Sequence, residues 1–147
     1  ATSTATAMSY SHRIFPGQNL VLVVATGRVA GDELIAESER MFEEPGWQPA
    51  IDQICDFRDV QRVAFTLDDM KRLLDLERRY DHKIGAGRQA LVVSSELHES
   101  LCTLYAAMAR LRRRPQQIRV FRAMDDALAW VGRPALPDVQ DDERSAA

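Results

Sequence analysis

The sequence is poor in cysteine and in long apolar runs, and each shortage excludes a class of protein. Its 147 residues include two cysteines, Cys55 and Cys102, which cannot form a disulfide framework, so a reducing, cytoplasmic compartment is expected. The longest apolar run covers residues 20–25, whereas a bilayer-spanning helix needs roughly 20 residues. We therefore expect no integral membrane association.

Basic character and aromatic residues are also scarce. The formal net charge is -3 and the isoelectric point is about 5.6, which argues against nucleic acid as the main partner. Arginines are concentrated at residues 110–114, but no aromatic residue interleaves with them, so single-strand nucleic-acid binding is not expected either. This basic run is interpreted as a solvated helix end, with an anionic partner as the alternative.

The composition that remains is that of one soluble globular domain, with 46% hydrophobic and 28% charged residues. Residues 10–132 are predicted to form this domain. The small polar residues 1–9 carry no secretory signal and are predicted to be disordered, as is the acidic tail over residues 133–147.

Strands and helices alternate along the predicted domain. Helices are expected to begin near Gly31, Thr66, Ser95 and Met124, and the first two strands flank a turn at residues 16–19, which predicts an antiparallel hairpin. Single helices between the later strands predict right-handed crossovers. The order ββαβαβαβα therefore predicts an α/β domain with a mostly parallel five-stranded sheet. The predicted strands cover residues 10–15, 20–29, 51–57, 89–93 and 118–121.

The segment from Ile51 to Leu74 is predicted to be the functional centre. It is interpreted as a strand over residues 51–57, a polar turn over residues 58–61 and a helix that begins at Thr66. Function is expected here because loops between a strand's carboxyl end and a helix often bind ligands. Thr66 with Asp69 resembles a capping box. The predicted docking surface comprises Arg58, Asp59, Gln61, Arg62, Thr66, Asp68, Asp69, Ser94 and Ser95.

The third long helix shows the clearest helical period of the chain. Leu97, Leu101, Leu104, Tyr105, Met108 and Leu111 recur at intervals of three and four. This period predicts an α-helix.

Other reactive side chains form no complete catalytic motif. His98 and Cys102 are four residues apart and could join Cys55 in a metal or thiol site, but zinc usually takes three or four ligands at closer characteristic spacings. The aspartates at positions 56, 59, 68 and 69 are alternatively acid–base groups or turn and cap residues. We therefore expect a protein that is not an enzyme and that has no metal or cofactor.

Two motifs carry a resemblance to a known family. The segment Asp56–Val60, followed by Phe65-Thr66-Leu67, resembles the strand end Asp-Leu-x-x-Val and the loop Asp-Ser-Ser-Gly of the SpoIIAA-like (STAS) superfamily. This is the fold of bacterial anti-sigma-factor antagonists and of their STAS/SEC14-like relatives. Residues 120–130 are similar to the endings of small uncharacterised proteins of this group.

The resemblance implies a regulatory or protein-binding module. Thr66 takes the place of the serine that a partner kinase phosphorylates in anti-sigma antagonists, whereas Ala64, Phe65 and Leu67 replace the acid, the first serine and the glycine of the motif. The phospho-acceptor loop is therefore degenerate. A protein partner is expected.

The STAS/SEC14-like relatives imply an alternative function, the binding of a small apolar ligand or lipid. This alternative predicts a pocket between the sheet and the second and third helices, lined by Met70, Leu74, Leu101 and Tyr105. A second alternative is an enzyme that uses aspartate or Cys/His chemistry. A homodimer is also considered, through Trp47 and the exposed edge of the hairpin.

Overall fold

The computed structural model describes residues 9–137. The segments predicted to be disordered, residues 1–9 and 133–147, lie outside these residues except for Ser9 and residues 133–137. Ser9 begins the first strand, and Arg133 forms an ion pair with Asp52 at 2.7 Å. The strands and helices are β1 (Ser9–Phe15), β2 (Leu20–Ala30), α1 (Gly31–Phe42), β3 (Asp52–Ala64), α2 (Leu67–Arg79), α3 (Asp81–Ile84), β4 (Arg88–Val92), α4 (Glu96–Leu111), β5 (Gln117–Phe121) and α5 (Met124–Val131).

The five strands form one sheet in the order β1-β2-β3-β4-β5. β1 and β2 are antiparallel, and every other neighbouring pair is parallel. The hairpin turn ends at Asn19, whose φ of 50° lies in the left-handed region that asparagine tolerates. The predicted α/β class, the mostly parallel sheet and the antiparallel entry hairpin are therefore confirmed.

Helices cover both faces of the sheet. On one face, Val23, Cys55 and Leu91 pack with residues of α1, α2, α3 and α4 in the main core. On the other face, Ile54 and Val92 pack against α5 in a second cluster. Successive residues of a strand point to opposite faces, which is why neighbours such as Ile54 and Cys55 belong to different cores.

The predicted turn over residues 58–61 is wrong, because β3 continues without interruption to Ala64. β4 pairs with β3 only as far as Asp56, whereas β2 pairs with it from Asp52 to Ala64. The second half of β3 (residues 57–64) thus continues past β4 and, among the described residues, pairs with β2 alone; we call it the β3 ribbon. Backbone pairing within this ribbon allows polar side chains to remain exposed in an extended strand.

The expectation that Trp47 offers apolar surface for a dimer is wrong. Trp47 is buried, with its ring 5.2 Å from that of Phe42 and its indole N–H donating to the carbonyl of Lys83, so it offers no exposed surface for a dimer. The apolar residues of α4 are only partly buried, since the first, third and last of its leucines are exposed. The side chains that α4 buries most deeply are Tyr105 and Ala109.

Candidate functional site

A cavity of about 130 Å³ lies between the sheet and the helices α1, α2 and α4. Protein interiors hold few voids larger than a water molecule, so a space of this size is unusual within a single domain. The strands contribute one wall and the three helices the other. The lining residues are Tyr10, Val23, Val29, Leu34, Ser38, Met41, Phe42, Gln53, Cys55, Phe57, Val60, Val63, Phe65, Met70, Leu73, Glu77, Gln89, Leu91, Val93, His98, Leu101, Cys102 and Tyr105.

The lining changes character along the strands. Near the starts of β3 and β4 the lining residues are Gln53 and Gln89, which are paired in register. Farther along, the lining residues are apolar, with Phe57, Val60 and Val63 on β3 and Val93 just after β4. Four residues of strand span about 13 Å. The cavity therefore has a polar end at the start of the strands and an apolar end at their carboxyl edge.

The apolar end is the less enclosed of the two. Phe57, Val63 and Phe65 come from the β3 ribbon and its connection to α2, and Leu101 comes from α4. All four side chains are only partly buried. We call this end the cavity mouth; the β3 ribbon extends over it because β3 continues past the rest of the sheet.

The polar end is formed by a connected set of buried side chains that we call the polar cluster: Glu77, Gln89, Tyr105 and Arg114. The Tyr105 hydroxyl lies 2.6 and 2.8 Å from the two carboxylate oxygens of Glu77. It also lies 3.4 Å from Oε1 of Gln89. Because a phenol has one proton, it can serve Glu77 or Gln89 but not both fully.

Arg114 supplies the positive charge of the polar cluster. Its Nη1 lies 3.3 Å from Glu77 Oε2, and the two side chains retain 1% and 5% of their exposure. Nη2 donates to Gln116 at 3.1 Å, and Nε donates to Asp81 at 3.4 Å. Arg114 thus lies in the core rather than on the solvated face that the arginine run predicted.

Burial sets the protonation of the polar cluster. It raises the pKa of Glu77 above its usual value, while the guanidinium of Arg114 and the Tyr105 hydrogen bonds act in the opposite direction. Burial, together with the neighbouring carboxylate, also raises the pKa of Tyr105 well above its usual value. Tyr105 therefore remains a neutral hydrogen-bond donor at physiological pH.

Gln89 keeps hydrogen-bonding capacity that faces the cavity. Its amide nitrogen lies 3.6 Å from Cys55 Sγ, a weak acceptor, and its oxygen receives only the long contact from Tyr105. Gln53 lies beside it on β3, is also buried and lines the same space. Buried carboxamides are costly unless they are hydrogen-bonded, so this end of the cavity favours a group that can bond with them.

The structure brings Cys55, His98 and Cys102 to the lining of one cavity. Burial raises the pKa of both thiols to about 12, so they are protonated at physiological pH and are poor nucleophiles or metal ligands. Nδ1 of His98 is buried and has no partner among the described residues. Within residues 9–137, no group of His, Cys, Asp or Glu side chains is arranged to hold a metal ion.

Thr66 is the N-cap of α2. Its hydroxyl accepts from the Asp69 N–H at 3.0 Å, and its own N–H donates to the Asp69 carboxylate at 2.9 Å, which completes a capping box. The hydroxyl oxygen is thus engaged with the backbone, although the residue is exposed. A role of Thr66 as a phospho-acceptor stays a prediction.

The residues predicted as a docking loop lie on different elements. Arg58, Asp59, Gln61 and Arg62 belong to the β3 ribbon, and Asp68 and Asp69 begin α2. Ser94 donates to the carbonyl of Arg58 at 2.7 Å, and Ser95 caps α4 by accepting from the His98 N–H. The β3 ribbon and the start of α4 are therefore joined, and their use as a protein-docking surface stays a prediction.

Of the four residues predicted to line a pocket, Met70, Leu101 and Tyr105 line the cavity. Leu74 is fully buried in the adjoining core. The residues that sequence reasoning missed are the polar ones. Glu77 could have been noticed, because it follows Met70, Leu73 and Leu74 on the inner stripe of α2 at helical spacing.

None of the helices in the described part of the chain is long and apolar enough to cross a membrane.

Comparison with known proteins shows the fold. No family model matches the chain, and no curated protein matches it. Among solved structures, the chain is similar to an uncharacterized protein of the DUF3478 family with a SpoIIAA-like fold from Shewanella loihica PV-4. The TM-score is 0.52 at 17% sequence identity, over 85% of this chain and 94% of that one. The chain therefore has the SpoIIAA-like fold, as the sequence motifs predicted.

Proposed function

We propose that this SpoIIAA-like domain binds a small, largely apolar molecule in the cavity, with one hydrogen-bonding group of that molecule directed to the polar cluster. The observation that carries the proposal is an apolar cavity of about 130 Å³ that ends in buried polar groups. Binding sites for small molecules typically combine apolar walls with a few placed polar groups.

The size of the cavity limits the ligand. An engineered apolar cavity of about 150 Å³ binds benzene, so the present space fits a single six-membered ring or a short branched chain. An unfilled cavity costs about 24 cal/mol per Å³, which gives about 3 kcal/mol for 130 Å³. A ligand that fills the space restores these packing contacts.

The polar cluster favours a ligand with one hydroxyl or amide group. The oxygen of Gln89 receives only a long contact from Tyr105, and the carboxylate of Glu77 also lines the cavity. Both are acceptors. A phenol-sized ligand that donates to either should gain about 1 kcal/mol over the same ring without a hydroxyl.

Titration of the full chain with phenol and with benzene, followed by ligand-observed NMR, tests the proposal. Both ligands should bind, and phenol should bind several times more tightly than benzene. Leu101→Trp places a large ring at the cavity mouth and should abolish both interactions. Thr103→Trp is the matched control, because Thr103 lies on the exposed side of the same helix.

The outcome that contradicts the proposal is equally defined. If neither ring compound binds at millimolar concentration, or if both bind Leu101→Trp as well as the wild type, the cavity is not a binding site. If benzene and phenol bind equally and Tyr105→Phe changes neither, the cavity binds apolar molecules without help from the polar cluster.

A further inference from the structure

A second stripe of side chains runs along α4 and faces solvent. Leu97, Leu104 and Leu111 retain 67%, 45% and 84% of their exposure, and Ser100 and Ala107 between them are also exposed. We call these five residues the α4 stripe. Exposed leucines are ordinary when scattered singly, but here three of them are aligned on one side of a 16-residue helix.

The spacing of the α4 stripe is that of a helix-pairing seam. Its residues alternate at intervals of three and four, which is the hydrophobic repeat of coiled coils. The side of α4 that packs on the sheet is different and contains Tyr105 and Ala109. α4 therefore has one stripe for its own core and a second that no described element covers.

The charges beside the α4 stripe are self-complementary. Glu96 near the start of the helix and Arg110 near its end are fourteen residues apart, so they lie on the same flank. When two copies of a helix pair in antiparallel orientation, like flanks face each other and the two ends exchange places. Glu96 of each copy then lies near Arg110 of the other.

The side-chain sizes fit the same arrangement. With Leu97 opposite Ala107 of a second copy, Leu104 lies opposite Ser100 of that copy, so each of these leucines meets a small residue. Alternation of large and small side chains across facing positions lets two helices interdigitate. The antiparallel orientation also sets opposite helix dipoles side by side.

We propose that the α4 stripe is a dimerisation surface, and that its partner is the same stripe of a second copy of this chain in antiparallel orientation. The arrangement is an isologous twofold contact, the commonest symmetry of soluble oligomers. α4 is about 24 Å long, so the contact is at the small end of specific interfaces and the dimer should be weak, with a dissociation constant in the micromolar range. This inference is independent of ligand binding in the cavity.

Sedimentation equilibrium of the full chain, over roughly 5 to 500 μM, tests the proposal. The wild type should shift from its monomer mass of 16.6 kDa toward twice that mass. Leu104→Glu should weaken association about tenfold or more, because it buries carboxylates at the seam. Leu136→Glu, which changes an exposed leucine outside α4, should leave it unchanged.

A charge exchange tests the orientation and does not depend on the leucine variant. Glu96→Arg alone should weaken association about tenfold, because it replaces two attractions with two repulsions. Adding Arg110→Glu should restore it. A wild type that stays at its monomer mass throughout overturns the proposal, as does failure of the double exchange to restore association. Leucine-dependent binding to phospholipid vesicles by a protein that stays monomeric would likewise overturn it and assign the stripe to a membrane surface.

Discussion

The ion pair between Glu77 and Arg114 predicts a large and non-additive effect on stability. Arg114→Met leaves the carboxylate of Glu77 in the core without its cation, at a site where both side chains are almost fully buried. Removing one partner of a buried pair costs about 3–5 kcal/mol. The double variant Glu77→Leu/Arg114→Met should lie within about 1 kcal/mol of the wild type, because apolar replacement of a whole buried pair is often neutral or stabilising.

Urea unfolding at pH 7, followed by circular dichroism, measures these free energies and the coupling between the two sites. Arg112→Met is the matched control. Arg112 is two residues away and pairs with Asp75, which is exposed, so its loss should cost less than about 1 kcal/mol. If Arg114→Met costs no more than Arg112→Met, or if the effects of Arg114→Met and Glu77→Leu simply add in the double variant, Glu77 and Arg114 do not form a buried ion pair.

Three further predictions concern single residues. Burial raises the pKa of Glu77 in the folded state above its usual value of about 4.5. The stability that this shift contributes is complete below that pH and is lost as the pH rises. Urea unfolding at several pH values should therefore show the wild type losing stability relative to Glu77→Gln from pH 4.5 upward. Thr66→Ala should lower the free energy of unfolding by about 1 kcal/mol, whereas Thr66→Asp, which can still cap α2, should cost only a few tenths; equal losses in the two variants would contradict the capping role. A Cβ at Gly87 would lie 2.3 Å from the Ile51 carbonyl oxygen, so Gly87→Ala should lower the unfolding free energy by about 2 kcal/mol. Gly17→Ala is the near-neutral control, because a Cβ at Gly17 would have no heavy atom within 4 Å.

The sequence predicts the fold well because its local signals agree with one another. The strands predicted on either side of the turn at residues 16–19 are each one residue shorter than the observed β1 and β2, and α2 begins at its capping box. The helix from Met124 to Val131 has the predicted bounds. Strands separated by single helices leave few arrangements other than a mostly parallel sheet, which is why the topology could be derived without a structure.

The β3 ribbon was mispredicted because its polar residues have two physical explanations. Arg58, Asp59, Gln61 and Arg62 are polar neighbours, which is typical of a turn. They are also compatible with a strand whose backbone is paired on one side only, and the pairing with β2 is a long-range contact that local sequence does not encode. Val60 and Val63, which face the cavity, were the local sign of a strand.

The polar end of the cavity could not be predicted because its members are distant in sequence. Glu77, Gln89, Tyr105 and Arg114 come from α2, β4, α4 and the segment after α4. Each has an ordinary interpretation when taken singly; Arg114, for instance, follows three arginines that complement a helix end. Only the packing of α4 across β4 and β5 brings these side chains together, so their shared role depends on tertiary structure.

The apolar period of α4 predicted the helix but does not by itself say which side of the helix is buried. Leu97, Leu104 and Leu111 repeat every seven residues, and this spacing fits an inner face as well as it fits a seam between two helices. A helix that packs against one sheet needs apolar residues on one side only, and Tyr105 and Ala109 already fill that side of α4. The leucines thus exceed what the domain's own core requires. An apolar repeat that exceeds the needs of one core is the sequence signature of a helix that packs on two sides, which is the arrangement that the proposed dimer supplies.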